Sequence, residues 1–249
     1  MDISKHMPRE VGKLYPSCEE MTREIGTGFK LLLPKRVSEK CPVIVRITAG
    51  EDVSLETACF NEAGFAVYLC FADQQSMERD VQACAAWQKT LEEHLDALIA
   101  ANPVLDETKI FLDGWMTAWI IFHTNRFRAA AQSPALLHQA TAYGNCAAGE
   151  AVFSNGLLVD QMKELAAGSV LAHVDNCKTP CLVLYQEGNA RYSREQSEQL
   201  YAAMKDRNSD IPCRMVVLPN NLYCDWKQVC LEELLNWWNR FRNGEETAR

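Results

Sequence analysis

Lys109–Pro134 reads KIFLDGWMTAWIIFHTNRFRAAAQSP. KIFLD is short and rich in branched and aromatic residues, which marks a strand. It runs straight into an apolar helix, Trp115–His123, with Asp113 placed to cap the helix and Gly114 as the joint. A second strand, Arg128–Gln132, follows and stops at Ser133-Pro134. Strand, helix, strand in close succession is the repeating unit of a parallel sheet, because parallel neighbours need a crossover on one face.

The same alternation extends in both directions. Upstream, Lys30–Pro34, Pro42–Thr48 and Gly64–Ala72 are strand-like runs, with a helix expected over Val53–Ala63. A longer helix is expected from Asp80 to Ala101, where Trp87, Leu91, His94, Leu95 and Leu98 recur at spacings of three and four and Pro103 closes the run. Downstream, Pro134–Ala172 is the least regular stretch, with a helix expected near Leu157–Ala167. Pro180–Tyr185 and Cys213–Leu218 are strands, and Ser193–Lys205 and Trp226–Phe241 are helices. In the last helix Leu231, Leu234, Leu235 and Trp238 share one face. Apolar strands without polar alternation are buried on both sides, so the expected architecture is α/β, a mostly parallel sheet with helices on both faces. No linker or repeat divides the chain. It reads as a single domain over 1–249, with an N-terminal extension over 1–20 and a frayed tail over 242–249.

The chain has 249 residues, 48% of them hydrophobic and 23% charged, an ordinary globular composition. Its net charge of −8 argues against nucleic acid as a partner, since phosphate binding needs a clustered basic surface. The first thirty residues carry charge throughout, so no secretory signal is expected. The longest uncharged run, Ala129–Gly149, is too polar to span a membrane. Eleven cysteines lack a framework spacing, and Cys41, Cys70, Cys181 and Cys213 sit in apolar runs. A reduced, cytoplasmic protein is the expectation.

Three stretches carry a resemblance. MTAWIIFHTNRFRAAAQSP (Met116–Pro134), LAHVDNCKTPCLVL (Leu171–Leu184) and REQSEQLYAAMK (Arg194–Lys205), with a terminal LLNWWNRF, are similar to the α/β-hydrolase domain of the prolyl oligopeptidase family, in its acylaminoacyl-peptidase-like branch. The similarity runs from about Arg23 to Phe241. It implies an α/β-hydrolase fold and a serine-peptidase ancestry. The length matches a hydrolase domain alone, so the family's propeller is expected to be missing.

The departures from that family fall in its catalytic site. Its chemistry needs a Ser on a G-x-S-x-G elbow, a His that takes the Ser proton and an Asp that orients the His. Here Asp113-Gly114 is followed at once by Trp115, and about five residues of the family pattern, the Ser among them, are missing. QEGNAR (Gln186–Arg191) places Asn189 at the Asp position, and PNNLY (Pro219–Tyr223) places Tyr223 at the His position. An amide carries no charge to stabilise an imidazolium, and a phenol with a pKa of about 10 is a poor base at neutral pH. The oxyanion-side H-G-G has become TAGED (Thr48–Asp52). Gly114, Trp115, Asn189 and Tyr223 are therefore the positions of a degenerate triad, with no catalytic residue among them. Trp115 is expected to fill the former site.

No other constellation replaces the triad. Ser133 reads as a strand terminator, His138 and His173 as solvated or capping residues, and His123 as a packed, hydrogen-bonded residue of the apolar helix. Cys224 has only Lys227 to activate it. Cys177 and Cys181 lack the second pair that a zinc site needs and read as buried thiols, so no metal and no cofactor is expected. Trp237 either widens the buried face or meets a partner. The reading is an inactive scaffold or regulatory partner, acting as a homo-oligomer or in a complex with an active relative or another protein. Two alternatives stay open: a binding module for peptides or small acyl compounds, with Trp115, Asn189, Arg191 and Tyr223 as ligand contacts, and a hydrolase rebuilt around Ser133, Cys146 or Cys224.

Overall fold

The computed structural model describes residues 23–24, 28–35, 37, 40–50, 54–78, 81–142, 147, 165, 168–220 and 226–244. Eight strands form one sheet: β1 (Arg23–Glu24), β2 (Phe29–Leu32), β3 (Cys41–Thr48), β4 (Ala66–Phe71), β5 (Leu105–Gly114), β6 (Ala129–Gln132), β7 (Cys181–Gln186) and β8 (Cys213–Leu218). Their spatial order is β1-β2-β4-β3-β5-β6-β7-β8. β1 and β2 run antiparallel, and every pair from β4 to β8 is parallel.

Both faces are covered, which explains the uninterrupted apolar strands. Val43, Val45 and Ile47 of β3, Tyr68 of β4 and Leu112 of β5 pack on one side. There they meet α3 (Val81–Ala101) through Leu91, Leu95 and Leu98, α4 (Thr117–Ile121), and α6 (Arg194–Arg207) through Leu200 and Met204. Ile44, Val67, Phe111 and Leu182 face the other side, against α1 (Ser54–Glu62) and α7 (Trp226–Arg242). Phe111 lies 5.4 Å from Trp238 and 5.9 Å from Phe65, ring centre to ring centre. The short helices α2 (Gln74–Met77) and α5 (Gln139–Ala142) sit in loops, and a 3-10 helix (Val170–Asn176) leads into β7. No helix among the described residues is long and apolar enough to cross a membrane.

Most boundaries shift by one or two residues, and two of the differences bear on the turn after β5 and the strand before it. β5 begins at Leu105, four residues before KIFLD. Its polar opening Asp106-Glu107-Thr108 hid it, and Asp106 Oδ1 accepts hydrogen bonds from the Thr108 amide and hydroxyl. α4 begins at Thr117 instead of Trp115. The helix expected near Leu157–Ala167 lies outside the described residues, except for Leu165. Trp237 is buried and donates from Nε1 to Ala130 O at 3.0 Å, so it belongs to the core and not to a partner surface.

Candidate functional site

In this sheet the decisive place is the turn that leaves the carboxyl end of β5. Gly114 ends the strand at φ +133°, a conformation that side chains rarely adopt. A Cβ there would stand 2.3 Å from Ile47 O on β3, so glycine is required sterically and not as a flexible joint. Asp113 is not the helix cap. It points to the opposite face, where its carboxylate meets Arg46 at 3.2 Å. Burial raises its pKa above the usual carboxylate range, and Arg46 only partly offsets this.

Trp115 and Met116 form the turn itself, and Met116 in the cap position makes no capping bond. The cap comes from the neighbouring strand. Gln132, at the end of β6, accepts the Ala118 N–H at 2.6 Å through Oε1. Its Nε2 donates to Trp115 O at 2.7 Å and Ser133 O at 2.5 Å. Thr117 Oγ1 adds a bond to Ala131 O at 3.1 Å. A backbone N–H in the first turn of a helix has no partner within the helix. Here the chain's own glutamine occupies it. The signal in the sequence was a single amide closing the apolar run AAAQ, which sequence reasoning passed over.

Trp115 and Trp119 are 8% and 6% exposed and fill the space beside the turn. The remaining cavity is about 40 Å³, lined among others by Glu78, Cys84, Met116, Leu137 and Gln139. That volume suits ordered water and not a peptide.

Asn189 and Arg191 follow β7. Asn189 Oδ1 accepts the N–H groups of Arg191 at 3.0 Å and Tyr192 at 2.9 Å, an Asx turn that serves the loop itself. Arg191 donates to Glu78 Oε2 at 2.9 Å and to the Tyr192 hydroxyl at 2.6 Å. The Tyr192 hydroxyl in turn donates to Glu78 Oε1 at 2.5 Å. Burial, reinforced by the Glu78 charge, pushes the Tyr192 phenol above its ordinary pKa. Gln139 Nε2 reaches Glu78 O at 3.2 Å and its amide reaches Ser169 Oγ at 3.2 Å. Through Glu78 the Asn189 loop is thus fastened to the segment that lines the Trp115 cavity. The structure brings Gly114, Trp115, Asn189 and Arg191 to the carboxyl ends of the strands. Tyr223, Cys146 and Cys224 lie outside the described residues.

The remaining candidates take structural places. Ser133 donates its amide to Gly114 O at 3.1 Å and continues the turn. His138 Nδ1 lies 3.1 Å from Thr141 Oγ1 in a capping contact, and burial lowers its pKa. Cys177 and Cys181 are fully buried; burial pushes Cys177 up to about 11 and raises Cys181 as well. His123 follows α4 and, although exposed to solvent, has the packed, hydrogen-bonded place expected of it: its ring stacks on Trp119 and its Nδ1 bonds to Trp119 O. His173 lies half-buried against the Trp119 and His123 rings instead of serving as a solvated or capping residue.

Over 85% of its length the chain superimposes on an acylaminoacyl peptidase from Pyrococcus horikoshii, with a TM-score of 0.70 and 14% identity. The fold is that of an α/β-hydrolase domain. A puromycin-hydrolyzing peptidase from Mycobacterium tuberculosis matches over 86% of the chain at a TM-score of 0.65 and 16% identity. These matches span 39% and 37% of the two solved chains. In sequence, 135 residues, 51% of this chain, are 30% identical to the uncharacterized peptidase YuxL of Bacillus subtilis (strain 168) and span 20% of it. No family model matches the chain.

Proposed function

We propose that this chain is a catalytically inactive relative of the prolyl oligopeptidase hydrolase domain, acting as a scaffold or regulatory partner of a second copy or of an active protein with the same fold. One observation carries the reading. Where such a hydrolase would expose a nucleophile and the oxyanion donor after it, this chain runs from Gly114 straight into Trp115, in a closed turn that Gln132 pins at Trp115 O and the Ala118 N–H. Triad chemistry draws its rate from the nucleophile and its base together, and the oxyanion donor adds roughly 10²–10³. The similarity to a peptidase in sequence and to peptidases in fold supports the ancestry. Cysteines buried throughout the core, such as Cys41, Cys59, Cys70 and Cys181, support a reducing, cytoplasmic setting.

A ligand-binding role has less support, because the cavity beside Trp115 is only about 40 Å³ and Arg191 is committed to Glu78. The test is exposure of purified protein to a fluorophosphonate probe and to acylated peptides, with co-purification of the tagged chain from its native host. The expected result is no labelled serine, no turnover, and recovery with a second copy or an active relative. Stoichiometric labelling would overturn the inactivity, and a lone monomer at native concentration would overturn the scaffold role.

A further inference from the structure

Away from the strand ends, two histidines meet beside Trp119. We propose that His123 and His173 form a two-imidazole site for one divalent transition-metal ion, with Cu²⁺ preferred over Ni²⁺ and Zn²⁺.

Their placement is already constrained. The His123 ring stacks on Trp119 at 4.1 Å and 28°, and its Nδ1 lies 2.7 Å from Trp119 O. A carbonyl only accepts, so Nδ1 carries the proton and Nε2 keeps its lone pair. This back-bond to a carbonyl is how metal-ligating histidines are oriented. His173 arrives from the 3-10 helix before β7, and its edge meets the same indole at 5.7 Å and 79°. The two imidazoles stand 4.7 Å apart, centre to centre, at 54°. Among the described residues the ring nitrogens of His173 make no hydrogen bond, and no ion pair engages either histidine. One indole thus holds two rings from segments fifty residues apart, with no acid between them.

The separation also selects the ion. A metal–nitrogen bond of about 2.0–2.1 Å puts each ring centre about 3.2 Å from the ion. With one nitrogen of each ring turned to a shared ion, centres 4.7 Å apart correspond to a nitrogen–metal–nitrogen angle of about 95°. That is close to the cis angle of a square-planar complex and narrower than a tetrahedral one. Tetragonal nitrogen and oxygen sites suit Cu²⁺ and Ni²⁺, and Cu²⁺ binds tightest in the divalent series. Water completes the coordination.

The test is titration of the full chain with CuCl₂, followed by tryptophan fluorescence and pulsed electron paramagnetic resonance. A His6→Ala background removes the histidine nearest the amino terminus. One ion per chain, echo modulation from two imidazoles and quenching that disappears in Trp119→Phe are expected. His123→Gln and His173→Gln should each weaken binding by about tenfold or more, with melting curves confirming that both stay folded. Modulation from a single imidazole would overturn the site. So would an affinity unchanged by His123→Gln, an exposed position where the variant has no reason to unfold.

Discussion

Gly114 on β5 lies against Ile47 on β3 so closely that a Cβ on Gly114 would stand 2.3 Å from the Ile47 carbonyl oxygen. The two residues are register partners in the middle of the sheet, so neither strand can withdraw without breaking the ladder. Gly114→Ala combines this clash with a backbone at φ +133°. The expected loss of stability is about 3 kcal/mol or more, read from the urea midpoint. A loss below about 1 kcal/mol would mean that the strands separate more easily than this packing allows.

Gln132 is the second point on which the turn depends. Gln132→Leu keeps the bulk but leaves the Ala118 N–H and the carbonyls of Trp115 and Ser133 without their partner, inside a buried shell. A buried group left unsatisfied costs about 1–3 kcal/mol, so a total of about 3 kcal/mol is expected. Hydrogen exchange at the Ala118 amide should accelerate more than exchange across β3. Equal acceleration of both would show global loosening instead of a local cap.

These two positions show where the sequence could be read and where it could not. Two-sided burial writes itself into a strand as continuous apolar residues, so PVIVRIT, GFAVYLCFA and PCLVLY located β3, β4 and β7 to within two residues. The terminal helix was equally plain, because Leu231, Leu234, Leu235 and Trp238 repeat at helical spacing. Polar residues at work inside the fold leave no period. Asp113 looked like a helix cap but is the buried partner of Arg46, whereas the cap is Gln132, fourteen residues from Ala118 and on another strand. The Glu78–Arg191–Tyr192 clamp joins residues more than a hundred positions apart, which spacing cannot reveal.

The Arg46–Asp113 pair gives a pH-dependent prediction. The Asp113 side chain is 3% exposed, and burial raises its pKa despite Arg46. A carboxyl whose folded pKa lies above its unfolded value favours folding when protonated. That contribution is complete below the unfolded pKa and lost as pH rises through the folded one. Arg46→Met removes the positive charge that lowers it and raises the folded pKa further. The variant should lose about 3–5 kcal/mol at pH 7, and its deficit against the parent should narrow as pH falls and Asp113 takes up a proton. Adding Asp113→Asn should recover stability at pH 7. A deficit independent of pH would assign the loss to the Arg46 contact with Phe60, at 5.5 Å, instead of to the charge.

The final prediction concerns repair of the catalytic positions. Asn189→Asp keeps an oxygen where Arg191 and Tyr192 donate their amides, so the loop should fold unchanged. Together with Tyr223→His it should still give no fluorophosphonate labelling, because the turn after Gly114 offers no hydroxyl. Adding Trp115→Ser supplies one. Gln132 still holds the carbonyl of residue 115 and the Ala118 N–H, so the turn keeps its closed path and does not form the strained elbow that would aim the hydroxyl and the N–H after it. The triple variant should therefore stay at background. Stoichiometric labelling of its new serine would show that the closed turn opens readily and that the backbone does not by itself prevent catalysis.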